Sequence, residues 1–153
     1  MRISDDAVRT LVYRSCLALD EEDFAAYLAL CAEKMHYRIT CYSPEIRKDV
    51  ILMNHDRAGL AALFDSLPDH IKLPGDLMRH ASVYEIKRVR NGTVAEATTS
   101  FTVIRTDDEG LSGVFVAGRY FDTVDVTRPV PMLTSRTVRL QTRDIGIGTE
   151  VPF

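Results

Sequence analysis

Residues 113–125 read Gly-Val-Phe-Val-Ala-Gly-Arg-Tyr-Phe-Asp-Thr-Val-Asp, and their period decides the fold. From Val114 to Val124 the side chains fall into two alternating sets. One holds Val114, Val116, Gly118, Tyr120, Asp122 and Val124; the other holds Phe115, Ala117, Arg119, Phe121 and Thr123. Alternation over that length predicts a long strand. Each set mixes apolar residues with one charged residue, which predicts a two-faced strand rather than a plain inside/outside one. Gly118 at its middle predicts a bend, a bulge or a close backbone approach, which suits a strongly curved sheet. Arg119 and Asp122, placed on a largely buried strand, require partners.

Outward from this strand, Thr127-Arg128-Pro129-Val130-Pro131 predicts a loop and residues 133–143 a last long strand. In the other direction, Asp107-Asp108-Glu109-Gly110 predicts a turn. Strands over 80–90 and 93–106 flank Asn91-Gly92, a strong hairpin signal. The first half reads as helices. Ser4 caps residues 5–19, where Val8, Leu11, Val12 and Leu19 recur at helical spacing, with Asp5 and Asp6 favourable at the dipole's positive end. A second helix carries Phe24, Tyr27, Leu28 and Cys31 on one face, and a third spans 57–67. Residues 35–42 alternate as a strand, 50–53 add a short one, and Leu67-Pro68-Asp69 and Pro74-Gly75-Asp76 mark a loop. The apolar tail over 145–153 is expected to be ordered against a neighbouring surface. Helices first, then a meander of long curved antiparallel strands, is an α+β plan in which a bent sheet wraps helices and leaves a cone.

A chain of 153 residues predicts one domain, 1–153, with 46% hydrophobic and 27% charged residues as in ordinary globular proteins. The net charge of -3 gives no sign of nucleic-acid or anionic-membrane binding. No apolar run reaches transmembrane length, and the acidic start is unlike a signal peptide, so a cytoplasmic location is expected. Cys16, Cys31 and Cys41 read as reduced core thiols.

The histidines, His36, His55, His70 and His80, show no metal-binding spacing. His36 shares a strand face with Arg38 and Thr40, and His55 and His70 sit in polar loop contexts. Arg79-His80 opens a strand at the rim of the cone, where His80 is either a satisfied structural histidine or an acid/base. Nucleophile-elbow, P-loop and dinucleotide-binding motifs are absent. On the final strand Arg136 lies out of phase with Arg139 and Arg143, which share a face. These last two are either a solvated edge or the partners of Asp122. Asp122 is expected to be a structural acid held by Arg139 or Arg143.

Several phrases, in order, resemble one family. They are Leu-Asp-Glu-Glu-Asp-Phe-Ala-Ala-Tyr-Leu (19–28), Met-His-Tyr-Arg-Ile-Thr (35–40), Arg79-His80, Ser-Phe-Thr-Val-Ile-Arg (100–105), Val-Ala-Gly-Arg-Tyr-Phe-Asp (116–122) and Val-Arg-Leu-Gln-Thr-Arg (138–143). The chain resembles the small (beta) subunits of Rieske-type aromatic-ring hydroxylating oxygenases, nearest to those acting on carboxylated rings such as terephthalate, anthranilate or salicylate. The resemblance implies a cone-shaped fold like nuclear transport factor 2. It also implies assembly with a large alpha subunit, as three alpha and three beta chains, with the beta chain alone a homotrimer. The Rieske 2Fe-2S cluster and the mononuclear non-haem iron would reside on the alpha subunit, with no catalytic, cofactor or metal residue on this chain. Arg79, His80, Arg119, Tyr120, Asp122, Arg139 and Arg143 are then structural or interface candidates. The competing expectation is a free-standing enzyme of the same fold, dehydratase or isomerase in type, using His80 or Asp122 as acid/base. A small-ligand binding module is a third. Large side chains able to plug the cone (Phe24, Tyr27, Tyr37, Phe64, Phe101, Phe115, Phe121) favour the structural role.

Overall fold

The computed structural model describes residues 2–67, 75–145 and 152–153. The stop expected at Pro68-Asp69, the loop residue Pro74, His70 and most of the apolar tail lie outside these.

Helix α1 (Asp5–Asp20) begins at Ser4, whose hydroxyl accepts the Ala7 N–H, and buries Val8, Leu11, Val12, Cys16 and Leu19. Helix α2 (Phe24–Ala29) is capped by the Asp23 side chain and is short. Cys31, expected on that helix, instead opens strand β1 (Cys31–Ser43), because residues 31 and 133 pair and Leu133 N–H donates to the Leu30 carbonyl. Strand β2 (Lys48–Asp56) is longer than the expected 50–53. It is an edge strand whose Val50, Ile51 and Leu52 are exposed, so its extent follows pairing with β1 and not an apolar alternation. His55, expected in a loop, pairs with Tyr37 in this strand. Helix α3 (Arg57–Ser66) starts on the Asp56 cap and is tied to α2 by Arg57, which donates to the Leu28 carbonyl.

Strands β3 (Asp76–Val89), β4 (Val94–Thr106), β5 (Ser112–Asp125) and β6 (Met132–Leu140) complete a six-stranded sheet of order β2-β1-β6-β5-β4-β3. The β1–β6 pair is parallel and the others antiparallel. The sheet is open and curved, with the helices on its inner side. The β3–β4 hairpin falls at Asn91-Gly92, but with a wider loop than the two-residue turn that dipeptide favours. Val89 pairs with Val94, and Arg90, Asn91 and Gly92 all have positive φ. Asn and Gly tolerate that region; Arg90 adopts it at a cost of about 1–2 kcal/mol.

Strand β5 is an inside/outside strand after all. Val116, Gly118, Tyr120, Asp122 and Val124 are buried, while Arg119 and Phe121 are exposed. The acid inside and the aromatic outside are what make the two faces look alike in sequence. Gly118 answers a close approach: a Cβ there would run into the backbone carbonyl of Arg139 on β6.

Helix α1 lies antiparallel along β3 and is fastened at both ends by arginines. Arg88 reaches Asp5 at 2.6 Å and the Ile3 carbonyl; Arg79 reaches Asp20 at 2.8 Å. Midway, the Tyr13 hydroxyl accepts the Val83 N–H. Of the tail, Pro152 and Phe153 are buried within the chain's own core. The Pro152 carbonyl accepts from Arg79, and Phe153 N–H donates to the Tyr37 hydroxyl.

Candidate functional site

Two places concentrate polar chemistry. The first is inside the cone. Tyr120 and Asp122 project inward from β5, Arg136 from β6, and Ser15 from the buried stripe of α1. The register sets Asp122 directly opposite Arg136. The guanidinium grips the carboxylate with two bonds, Nε to Oδ1 at 2.8 Å and Nη2 to Oδ2 at 2.9 Å, and gives Nη1 to the Ser15 hydroxyl at 2.9 Å. Ser15 in turn donates to the Val12 carbonyl. Arg136 is 1% exposed and Asp122 2%.

The counter-ion of Asp122 is therefore Arg136, not Arg139 or Arg143. Residues 136, 138 and 140 point inward, so the arginine that sequence phase sets apart from the other two is the inward one. Arg139 is exposed, with Asp49 at 3.4 Å, and Arg143 is exposed too, with its charge near Glu45. Phase on β6 alone could have separated the arginines. Ser15 carried a signal as well, a polar residue at a core position four residues from Leu11.

Aromatic rings enclose the pair. The Arg136 guanidinium lies 4.2 Å over the Tyr120 ring, and Tyr120 stacks on Phe101 at 4.3 Å and 8°. Tyr27, Tyr37 and Phe153 are also fully buried. Phe64 is buried, Phe24 and Phe115 pack against the core, and Phe121, also expected as a plug, faces outward. Burial opposes the charge on Arg136, but the Asp122 carboxylate more than offsets it and holds the guanidinium well above its ordinary range. Burial pushes the Cys16 thiol up, that of Cys31 to about 11, and the Tyr27, Tyr37 and Tyr120 phenols up as well. The Tyr27 and Tyr120 hydroxyls and Thr99 Oγ1 are buried without a hydrogen-bond partner among the described residues. Such an interior keeps these thiols and phenols protonated and the Arg136 guanidinium charged.

The second place is the outer face of the sheet. A shallow hollow of about 430 Å³ lies over β2, β1, β6 and β5, floored by Arg38, Thr40, Ile51, Phe121, Thr137 and Arg139, with Asp49 at its edge. Arg119 stands opposite Arg139 in the ladder and 6.0 Å from the ring centre of Tyr84. His36 and His80 are exposed on this face, and His80 pairs across from Thr102. The structure does not bring His80 near Asp122: one is outside the sheet and the other inside. Arg79, inward and buried, serves α1 and the tail. Among the described residues, no three His, Cys, Asp or Glu side chains stand close enough to hold a metal ion. No described helix is long and apolar enough to cross a membrane.

A family model described as a SnoaL-like domain matches residues 3–130. The beta subunit of the methanesulfonate monooxygenase hydroxylase of Methylosulfonomonas methylovora is 33% identical over 160 residues, covering 99% of this chain and 88% of that protein. The beta subunit of 2-aminobenzenesulfonate 2,3-dioxygenase of an Alcaligenes species is 27% identical, covering 96% and 97%. The crystal structure of a beta subunit of aromatic-ring-hydroxylating dioxygenase type from Novosphingobium aromaticivorans superposes with a TM-score of 0.80, at 21% identity, over 92% of this chain and 91% of that one. At that identity the likeness is one of fold. Both sequence relatives are named for sulfonates, so the leaning of the sequence phrases towards carboxylated rings has no support in them. Matched along nearly its whole length, the chain belongs to the SnoaL-like family and, within it, to the beta subunits of multicomponent oxygenases.

Proposed function

We propose that this chain is the non-catalytic, assembly-stabilising beta subunit of a multicomponent oxygenase, working as one domain over 1–153 in the cytoplasm. Its partner is an alpha chain that carries the Rieske 2Fe-2S cluster and the mononuclear iron, in an assembly of three alpha and three beta chains. The isolated beta chain is a homotrimer. One observation carries the reading. At the centre of the cone, where a free-standing enzyme would need an available acid or base, Asp122 is neutralised by a two-bond grip from a buried arginine and walled by aromatic rings. His80, the other candidate base, lies on the opposite side of the sheet. Among the described residues no cluster of His, Cys, Asp or Glu could hold a metal ion, which is in keeping with both iron centres lying on the alpha chain. Pro152 and Phe153 pack in this chain's own core, and we assign the contacts between copies to the sheet's outer face. Substrate choice belongs to the alpha chain's pocket.

Co-expression with the alpha chain of the same enzyme tests this. The two chains are expected to co-purify in equal amounts, and the isolated beta chain to show no turnover and no stoichiometric iron by elemental analysis. Turnover by the beta chain alone, near-equimolar iron in it, or failure to bind the alpha chain would overturn the reading.

A further inference from the structure

We propose that two surfaces of this chain are complementary halves of a contact between its copies: the arginine-bearing outer face around Phe121 on one copy, and the tip of the β4–β5 hairpin on the next. The inference rests on the self-association proposed above and names where it occurs.

The outer face is electrostatically unfinished. Arg119 and Arg139 stand directly opposite each other on β5 and β6, and Arg38 sits beside Thr137 on the adjoining strand. Like charges directly opposite destabilise a strand pair. Asp49 meets Arg139 at 3.4 Å, a long and exposed contact that offsets little of this repulsion. Arg38 Nε is buried with no hydrogen-bond partner among the described residues. Among these cations lie Phe121, 40% exposed, and Ile51. A surface of that kind fits carboxylates set next to apolar side chains.

The hairpin tip offers that combination. Asp108 and Glu109 are exposed, and Leu111 and Val114 beside them are each 67% exposed. The turn is already shaped. Asp107 Oδ1 accepts the N–H groups of Glu109 and Leu111, its backbone pairs with Gly110 and Leu111, and Gly110 takes the left-handed conformation the turn requires. A preformed loop loses little freedom on docking. The tip cannot reach its own outer face, because along β5 it lies about 25 Å from Arg119 at about 3.3 Å per residue. The contact is therefore between copies and joins unlike surfaces, the kind of interface that closes into a ring when repeated around an axis.

Charge reversal tests the pairing. Light scattering at micromolar concentration is expected to give a three-chain mass for the parent. It should give a one-chain mass for Arg119→Glu/Arg139→Glu and for Asp108→Lys/Glu109→Lys, each with the parent's circular dichroism. The chain carrying all four changes is expected to recover the three-chain mass. A trimeric parent whose reversed variants remain trimeric, or a four-fold variant that stays monomeric, would overturn this contact while leaving the trimer standing. Arginine reversals that abolish binding of the alpha chain but not trimerisation would assign the face to the alpha chain, against the proposal. A monomeric parent would remove the trimer itself and this contact with it.

Discussion

Asp122 and Arg136 are each costly to bury alone and tolerable together. Replacing Asp122 by Asn leaves the guanidinium buried without its counter-charge, for which the expected loss of stability is about 3–5 kcal/mol. Urea denaturation should show it, together with a loosened oligomer. A variant as stable as the parent that nonetheless abolished turnover of the reconstituted complex would refute the structural role. Replacing both partners by well-packed apolar residues is expected to cost far less than either single change, since no unpaired charge remains. That Asp122 needs a partner is legible in sequence, because a carboxylate within an otherwise apolar alternation is too costly to bury unpaired. Which partner it takes is not legible, because the buried face of β5 has to be known first. Phe115 and Phe121 on the other side hide it.

At the scale of elements, Gly118 leaves room for the β6 backbone at Arg139 where a side chain on β5 would stand. Adding a methyl group there meets backbone rather than a movable side chain, so the ladder itself has to part. Gly118→Ala is expected to destabilise by about 1–3 kcal/mol, measured as a lowered melting temperature. A melting temperature equal to the parent's would mean that the strands give way freely. The long strands and α1 are legible in sequence because period and caps agree. The ends of α2 and the extent of β2 are not, since pairing with a distant strand decides them. β1 takes Cys31 by pairing with β6, and β2 extends along β1 through residues that are exposed on its edge.

For the whole molecule, the buried thiols and phenols set a limit at alkaline pH. Burial raises the Cys31 thiol from an ordinary 9.0 to about 11 and moves Cys16, Tyr27, Tyr37 and Tyr120 in the same direction. A raised pKa means the folded chain keeps a proton that the unfolded chain releases. Cys31 therefore favours folding fully below pH about 9, and its advantage is lost as pH rises through about 11; the other groups act in the same direction at alkaline pH. Cys31 alone is expected to account for roughly 3 kcal/mol of that loss. Urea midpoints should hold steady near neutrality and fall steeply above pH about 9; a midpoint unchanged up to pH about 11 would contradict the burial of these groups. The family is legible in the order of short phrases along the chain. The outer face is not, because its arginines become neighbours only when β1, β6 and β5 lie side by side.

That order of strands also has a bearing on synthesis. The parallel pair joins β1, near the start, to β6, near the end, and through it the two halves of the sheet become one. Residues 31–43 leave the ribosome long before residues 132–140 exist. Until then, Tyr37 and Ile39 have β2 on one side and an open edge on the other. Closing so long a loop is slow relative to forming local hairpins. The first three helices and two strands therefore wait, apolar edge exposed, for the last nine-residue strand to arrive. For this interval the nascent chain is at its most exposed to aggregation, and that interval is fixed by topology rather than by the stability of the finished fold.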